Sequence, residues 1–127
     1  MELFHSPECY LYNLETTSSN KAKKIWKEAI KEKWNYECAY CGSKNDITLD
    51  HVVPQSFGGL DISSNIVCCC RNCNHNKSHK KWDEWFLQQN FFSEDRFNKI
   101  SEWIGNKKTK ELKIFSRYII YYDYSIY

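Results

Sequence analysis

The clearest periodic pattern of apolar residues lies between residues 21 and 34. At about 100° per residue, as in an α-helix, its apolar side chains fall on one broad face and four lysines fall together beside it. The apolar face consists of Ile25, Trp26, Ala29, Ile30 and Trp34, and the basic flank of Lys23, Lys24, Lys27 and Lys31. The polar residues Thr16 to Asn20 precede the pattern as a linker that supplies an N-cap. We predict an amphipathic helix that packs on the core, with phosphate contact as a secondary role of its basic flank.

Short runs of β-branched residues dominate the middle of the chain. Residues 46–53 (DITLDHVV) and residues 65–70 (NIVCCC) are typical of strands. The turn signals Pro54 and Gly58-Gly59 separate them, so they predict an antiparallel pair joined by a loop. The following residues, 71–89, predict one helix that opens at the end of the second strand. This part of the chain therefore predicts the order strand, loop, strand, helix.

The two ends of the chain add three elements. Residues 9–14 (CYLYNL) predict a short strand, and residues 91–106 predict a second amphipathic helix, with Ser93 as its N-cap and Gly105-Asn106 at its end. The β-rich residues 106–127 are typical of an edge strand, a dimer strand or a partly disordered tail. The side chains expected in the core are Phe97, Ile100, Trp103, Ile104, Trp82, Trp85, Phe91 and Phe92. The predicted division is an N-terminal segment (1–20), a central domain (21–105, core 34–81) and a C-terminal tail (106–127).

Composition and charge narrow the class of protein. The chain has 127 residues, which fits one domain, and 17% of them are aromatic. The formal net charge is only +2, but basic residues gather in segments such as 71–81 and 107–113, which suits a polyanionic partner. No apolar run is long enough to span a membrane, and the acidic start MELFHSPECY is unlike a signal peptide. We therefore expect an intracellular, cytoplasmic protein whose thiols stay reduced.

Seven cysteines in a reducing compartment need an explanation other than disulfides. Four of them form two CxxC pairs, Cys38 with Cys41 and Cys70 with Cys73, and such pairs are typical of zinc knuckles. Four thiolates complete the coordination of Zn²⁺, so the predicted role of this zinc is structural, with a thioredoxin-like redox pair as the alternative. The remaining cysteines are expected as small buried apolar residues: Cys9, Cys68 and Cys69.

The insert between the two knuckles contains the segment LDHVVPQSFGG. Asp50 and His51 lie side by side in it, Asn65 precedes the second strand, and Asn74 follows the second knuckle. An Asp-His pair alone is usually structural, but this order of residues resembles the HNH endonuclease family, in its four-cysteine form, over about residues 34–81. DHVVPQSF is also similar to the HNH domain of RNA-guided CRISPR nucleases. The flanking helices resemble those of small free-standing HNH proteins of phages and cyanobacteria.

The resemblance implies an α+β fold with a treble-clef-like ββα-metal core, a structural zinc and flanking α-helices. It also implies hydrolysis of phosphodiester bonds with one divalent cation, Mg²⁺ or another. By position, His51 would be the general base, Asp50 and Asn74 metal ligands, and Asn65 the residue that braces the loop and the histidine. Histidine suits this role because it ordinarily titrates near neutral pH. Many members have His where this chain has Asn74, so the chain is an H-N-N variant and its metal preference stays open.

Double-stranded DNA is the partner that the resemblance implies. The basic side chains predicted to hold its phosphates are Lys77, Arg71, Lys80, Lys27 and Lys31. One HNH site cuts one strand, so a double-strand break needs two chains or two events; we expect a homodimer and no membrane partner. The alternative is a zinc-stabilised DNA-binding module without cleavage activity, and RNA is an alternative substrate. Homing, restriction, packaging and repair roles stay open, and His75 and His79 are expected outside the site.

Overall fold

The computed structural model describes residues 2–13 and 18–105. The helices and strands in these ranges are α1 (Pro7–Asn13), α2 (Ser19–Lys33), β1 (Ile47–His51), β2 (Ile66–Cys70), α3 (Arg71–Lys77), α4 (Trp82–Leu87) and α5 (Glu94–Trp103). Two short 3-10 turns, Gln55–Phe57 and Ser63–Asn65, lie in the loop between the strands. The predicted tail, residues 106–127, and the first part of the predicted linker lie outside the described residues. Of the helices in the described ranges, none is both long and apolar enough to cross a bilayer.

Most of the predicted N-terminal strand, residues 9–14, belongs instead to helix α1. Pro7 opens this helix, where its fixed φ and missing N–H are no disadvantage, and Glu8 adds a negative charge to the first turn. Tyr10 is fully buried, and its hydroxyl donates to the carbonyl of Glu2 (2.9 Å) and accepts from the amide of Phe4 (3.0 Å). The strand prediction was wrong because it followed β-rich composition and overlooked these signals of a helix start.

Helix α2 confirms the amphipathic pattern between residues 21 and 34. Ser18 is its N-cap, and the Ser18 hydroxyl accepts from the amide of Lys21 (3.1 Å). Four of the five predicted face residues are buried, Trp26, Ala29, Ile30 and Trp34, while Ile25 is half-buried. The helix packs on β2, and the lysine flank stays beside this apolar face.

The two strands form the predicted antiparallel pair. In its register Asp50 lies opposite Val67 and His51 opposite Ile66, and helix α3 begins directly after β2 at Arg71. All five residues of β2 are buried, since helices cover the sheet that this strand runs through. The result is a ββα unit flanked by helices, which confirms the predicted α+β fold class.

The single helix predicted over residues 71–89 is two helices. Helix α3 ends at Lys77, and Ser78 takes the positive φ of 50° with ψ −125°, which an α-helix cannot contain. Helix α4 then starts at Trp82, and the indole N–H of Trp85 ties it back to α3 by donating to Asn76 Oδ1 (2.8 Å). The break lets α4 turn its buried aromatic residues, Trp82, Trp85 and Phe86, into the core.

Helix α5 closes the core and fixes both the loop and the first knuckle. Ser93 caps it, as predicted, by accepting from the amide of Arg96 (3.3 Å). The Trp103 indole N–H donates to the carbonyls of Ser63 and Ile66 (2.8 Å each), while Arg96 Nη1 donates to the carbonyl of Cys38 (3.2 Å). Of the eight side chains predicted in the core, four are buried, three are partly buried and pack against it, and Phe91 is 38% exposed. The buried ones are Trp82, Trp85, Phe97 and Ile100, and the partly buried ones are Phe92, Trp103 and Ile104.

Candidate active site and metal centre

The four cysteines of the two CxxC pairs meet in one cluster. Their sulfurs lie within 4.8 Å of one another, and Cys41 Sγ is 3.6 Å from Cys70 Sγ. A tetrahedral zinc with bonds of about 2.3 Å needs sulfurs roughly 3.8 Å apart, so the cluster has the right size. In each knuckle the amide of the second cysteine donates to the sulfur of the first, over 3.5 Å from Cys41 to Cys38 and 3.4 Å from Cys73 to Cys70.

Binding of a cation by this cluster would require its thiols to lose their protons. Burial raises the pKa of the Cys41 thiol to about 11, so positive charge is needed to hold its sulfur as a thiolate at neutral pH. Three further cysteines do not belong to the cluster's ligand set. Cys68 and Cys69 are fully buried, as expected for small apolar residues, while Cys9 is half-buried.

Asp50 and His51 diverge at the end of β1. Adjacent strand residues point to opposite faces, and the strand ends at His51, directly before the chain bends. Asp50 turns inward and is 5% exposed, whereas the imidazole of His51 is 30% exposed. Both nevertheless line one shallow depression of about 180 Å³, which we call the Asp50–Asn74 depression; its wall includes Asp50, His51, Gln55, Asn74, Ser78 and His79.

The carboxylate of Asp50 is held by a buried cation and a buried hydroxyl. Lys77 Nζ lies 3.1 Å from Oδ2 and 3.4 Å from Oδ1, and the Tyr40 hydroxyl donates to Oδ2 over 2.9 Å. Burial raises the pKa of Asp50, while the charge of Lys77 and the hydrogen bonds from Tyr40 and Lys77 oppose that rise. These contacts therefore fix the orientation of the carboxylate and favour its ionised form.

The predicted phosphate contact of Lys77 is wrong. Its side chain is fully buried, and besides Asp50 its ammonium group donates to the carbonyl of His51 (3.0 Å). A fully desolvated lysine must find buried acceptors, and here both lie at the end of β1. Lys77 thus holds the strand end that carries Asp50 and His51 and is out of reach of DNA.

The imidazole of His51 contacts Asp61, a residue that sequence reasoning missed. His51 Nε2 lies 2.6 Å from Asp61 Oδ1, and Gln55 Nε2 donates to the same oxygen over 3.2 Å. The hydrogen bond from His51 lowers the pKa of Asp61. The two lie ten residues apart in the chain, a spacing that gave no signal, because the loop alone brings them together.

Asn65 closes the loop that follows His51. Its Oδ1 accepts from the amide of Val53 (2.9 Å), and its Nδ2 donates to the carbonyls of Val53 (3.1 Å) and Leu60 (3.0 Å). Gly59 completes the closure, because a Cβ there would lie 1.7 Å from the carbonyl oxygen of Val53. Asn65 therefore binds the backbone of the loop. The loop in turn connects Asn65 to the His51 ring.

Asn74 lies across the depression from His51, on helix α3. Its Nδ2 donates to the carbonyl of Leu49 (3.0 Å), which ties the helix to β1 next to Asp50. His79, which the sequence prediction left outside the site, lies on the wall of the same depression, with Nδ1 3.3 Å from the hydroxyl of Ser56. Because α3 ends at Lys77, earlier than predicted, the chain turns there and His79 lies on this wall.

A second depression, of about 370 Å³, meets the first one at His51. We call it the lysine groove; its lining includes Lys23, Lys27, Lys31, His51, Gln55 and Asp61. Lys23 and Lys27 are exposed, and Lys31 is half-buried with its ammonium 3.7 Å from Glu28 Oε1. The groove therefore joins Lys27 and Lys31 to His51, whereas the exposed Arg71 and Lys80 line neither depression.

Comparison with known proteins finds similarity to one family over the middle of the chain. Residues 38–91 match the HNH endonuclease family. The chain is 32% identical over 96 residues to the SPbeta prophage-derived putative HNH endonuclease YoqL of Bacillus subtilis (strain 168), across 64% of this chain and 40% of that protein. It is 31% identical over 65 residues to the CRISPR-associated endonuclease Cas9 of Corynebacterium diphtheriae, across 48% of this chain and 6% of that protein. The chain thus spans less than half the length of either relative.

A solved structure shares the fold. The crystal structure of the Type II-C Cas9 enzyme from Actinomyces naeslundii matches 91% of this chain and 12% of its own, with a TM-score of 0.54 at 18% identity. Fold and cysteine cluster together define a ββα domain with four cysteines placed close enough to hold one metal ion. Residues 38–91 are thus similar to the HNH endonuclease family, which confirms the resemblance found in the sequence.

Proposed function

We propose that this protein is a metal-dependent DNA endonuclease in which His51 is the general base. The observation that carries the proposal is the position of His51, which lines both the lysine groove and the Asp50–Asn74 depression. A phosphodiester held by the groove therefore reaches the histidine and the acidic depression together. The two sequence relatives named above are described as endonucleases, which supports the same activity here.

The lysine groove supports DNA as the substrate. Lys23, Lys27 and Lys31 stand one helical turn apart on α2, at a rise of about 6 Å per four residues, close to the phosphate spacing of a nucleic-acid strand. Lysine ammonium groups on such a row bind backbone phosphates without reading bases. We propose double-stranded DNA, with one strand cut at each encounter and a homodimer for a double-strand break.

A divalent cation fits the Asp50–Asn74 depression with one constraint. A carboxylate has about four lone-pair sites; Tyr40 and Lys77 use up to three of those on Asp50, which leaves Oδ1 able to accept a further ligand. The amide of Asn74 donates through Nδ2 and keeps its oxygen as a hard donor. Two oxygen donors suit Mg²⁺, which keeps several waters. When bound by Asp50 and Asn74, the cation would act as a Lewis acid on the phosphate and stabilise the leaving oxygen.

The chain's own residues supply the rest of the proposed reaction. His51 takes a proton from the attacking water, and its half-exposed ring has access to one. Lys77 and Tyr40 hold Asp50 ionised and in place, and Asn74 ties α3 to β1 beside it. Asn65 closes the loop. Lys77, Tyr40, Asn74 and Asn65 are in place before the reaction starts, as preorganisation requires.

We also propose that the cluster of Cys38, Cys41, Cys70 and Cys73 holds a structural Zn²⁺. It joins the loop before β1 to the start of α3, so it sets the positions of the two elements that carry the proposed catalytic side chains. With four protein ligands the ion has no open position for substrate.

A second candidate function is a zinc-stabilised DNA-binding module that does not cleave. The observation in its favour is the ion pair between Asp50 and Lys77, because a neighbouring ammonium group disfavours a divalent cation at the same carboxylate. The lysine groove serves this function equally well.

Cleavage of supercoiled plasmid separates the two candidates. The purified protein is incubated with plasmid and Mg²⁺, Mn²⁺ or Ni²⁺, and in parallel with EDTA. We expect metal-dependent nicking followed by linear product, and no product with EDTA. Retained DNA binding without product in any metal, on plasmid and on a library of random-sequence duplexes, would instead support the binding module.

A further inference from the structure

We infer that Asp61 is a positioning residue, which holds the imidazole of His51 through Nε2 and so leaves Nδ1 as the nitrogen that accepts the proton of water. The inference rests on the proposed function, since it assigns a partner to the proposed general base. Neither the family match nor the spacing of the HNH residues points to Asp61.

The contact is short and is built by the loop. Asp61 Oδ1 lies 2.6 Å from His51 Nε2, although the two lie ten residues apart in the chain. Asn65 bonds to Val53 near the start of the intervening segment and to Leu60 near its end. The amide of Gly59 also donates to the carbonyl of Pro54 (3.0 Å). Asp61 follows Leu60 directly, so its position relative to His51 is set by this closure.

Gln55 fixes the carboxylate from a second direction. Its Nε2 donates to Asp61 Oδ1 over 3.2 Å, so one oxygen receives both the imidazole and the amide. Two donors on one oxygen restrict the rotation of the Asp61 side chain. The His51 ring is thus bound to the Asp61 carboxylate, whose own orientation is fixed by Gln55.

The acceptor determines which ring nitrogen is free. An ionised carboxylate only accepts hydrogen bonds, so His51 Nε2 must carry a proton in this contact. A neutral imidazole has one N–H, and its lone pair is therefore on Nδ1. The same contact lowers the pKa of Asp61, and the nearby charge of Lys23 acts in the same direction, so the acceptor stays ionised.

A purely structural role explains the contact poorly. The Asp61 side chain is 49% exposed and that of His51 30%, and such exposed pairs contribute about 0–1 kcal/mol to stability. Removing the carboxylate leaves no buried group without a partner. Removal of the Asp61 carboxylate is therefore expected to change the free energy of unfolding little and the orientation of the His51 ring strongly.

The first test is single-turnover cleavage by the full-length protein. Asp61→Ala is compared with the wild type and with Asp95→Ala, which removes one exposed acidic charge from the first turn of α5. We expect Asp61→Ala to slow cleavage roughly 10- to 100-fold, as for other residues that orient a catalytic group. The Tm of Asp61→Ala should match that of the wild type within error, and its Kd for DNA should be equal or lower, because the substitution removes a negative charge from the lysine groove. Asp95→Ala should change neither the cleavage rate nor the Kd.

The second test reads the ring itself. Long-range ¹H–¹⁵N NMR spectra of the histidine side chains distinguish the two neutral tautomers, and His51→Gln identifies the signals of His51. We expect a pure Nε2–H form in the wild type and a mixture of tautomers in Asp61→Ala. This measurement does not depend on cleavage.

Two different failures are distinguishable. A wild type that cleaves alongside an equally fast Asp61→Ala, or a His51 ring protonated on Nδ1, would overturn the role of Asp61 and leave the proposed function intact. A wild type that cleaves in no metal would refute the proposed function and, with it, any catalytic purpose of the contact. Faster cleavage by Asp61→Ala would show that Asp61 obstructs the base, which also overturns the inference.

Discussion

Two residues that organise the centre of the site could be found only in the folded chain. Lys77 was expected on the DNA surface, because a lysine after a knuckle is usually exposed; instead it is buried against Asp50. Asp61 is one of several acidic residues, and its sequence context is ordinary. The sequence did predict Asp50 and His51 at the end of a strand, because β-branched residues and Pro54 mark that end.

Removal of Lys77 tests the buried ion pair. Lys77→Met keeps the length of the side chain but leaves Asp50 buried beside no cation, which costs about 3–5 kcal/mol in the free energy of unfolding. The double variant Asp50→Asn with Lys77→Met should recover most of this loss, since the buried charge is then gone. Urea denaturation measures both, with Lys80→Met as the control for an exposed lysine of the same segment.

The pH dependence of that loss has a defined sign. Burial already raises the pKa of Asp50, and without Lys77 the main opposing interaction disappears, so the pKa rises further. A raised pKa in the folded state means that stability falls as the pH rises through it. The deficit of Lys77→Met should therefore shrink as the pH is lowered from neutral towards the ordinary titration range of a carboxyl group. A deficit that grew with acidity, or a loss within about 0.5 kcal/mol at all pH values, would contradict the importance of this ion pair.

At the scale of elements, periodicity predicted the long helix and the strands well and the short helices poorly. The 15 residues of α2 show several turns of one apolar face, whereas the seven residues of α1 show fewer than two. The break after Lys77 has no glycine or proline to announce it; Ser78 accepts a positive φ because the contacts of Lys77 and Trp82 require the turn. Tertiary contacts, not local preference, decide such short segments.

Three lysines of helix α2, Lys23, Lys27 and Lys31, line the lysine groove. Substitution of lysines inside and outside the groove tests whether this row binds DNA. The double variant Lys27→Ala and Lys31→Ala should weaken DNA binding and lower the slope of log Kd against log salt by roughly 2, about 0.9 for each phosphate that is no longer neutralised. Fluorescence anisotropy over a range of salt concentrations measures this slope. The double variant Lys24→Ala and Lys33→Ala, on the same helix but outside the groove lining, is the matched control, because it removes the same number of charges. Equal effects of the two double variants would show that α2 attracts DNA by net charge alone.

In the whole molecule, the cysteine cluster connects the loop before β1 to the end of β2 and the start of α3. The sequence predicted this connection because two CxxC pairs are specific, and it predicted the α+β class because the cluster frames two strands and a helix. The pattern of apolar residues did not predict all the contacts that cover the sheet. Ser63, whose hydroxyl contacts the carbonyl of Phe4 and the indole of Trp26, links the N-terminal segment, α2 and the loop in one network.

Loss of one cysteine of the cluster should unfold its surroundings. Cys70 ends β2 and caps α3, so Cys70→Ser is expected to lower bound zinc from about one ion per chain towards none. Unfolding should then lose its cooperativity, because structural zinc contributes apparent binding energies of about 10–16 kcal/mol to small domains. Metal analysis and thermal melts measure both, with Cys9→Ser, outside the cluster, as the control. A Cys70→Ser protein that keeps its zinc and its melting transition would refute the ligand set.

We propose that His51 performs the chemistry at the edge of the lysine groove and that the groove binds DNA without it. The most direct measurement is the Kd and the single-turnover cleavage rate of His51→Ala beside the wild type, on the same duplex and with the same metal. We predict a Kd within about threefold of the wild type, because the groove lysines remain, and a cleavage rate lower by at least about 100-fold, as for loss of a general base. Equal losses in binding and cleavage, or cleavage at the wild-type rate, would contradict this claim.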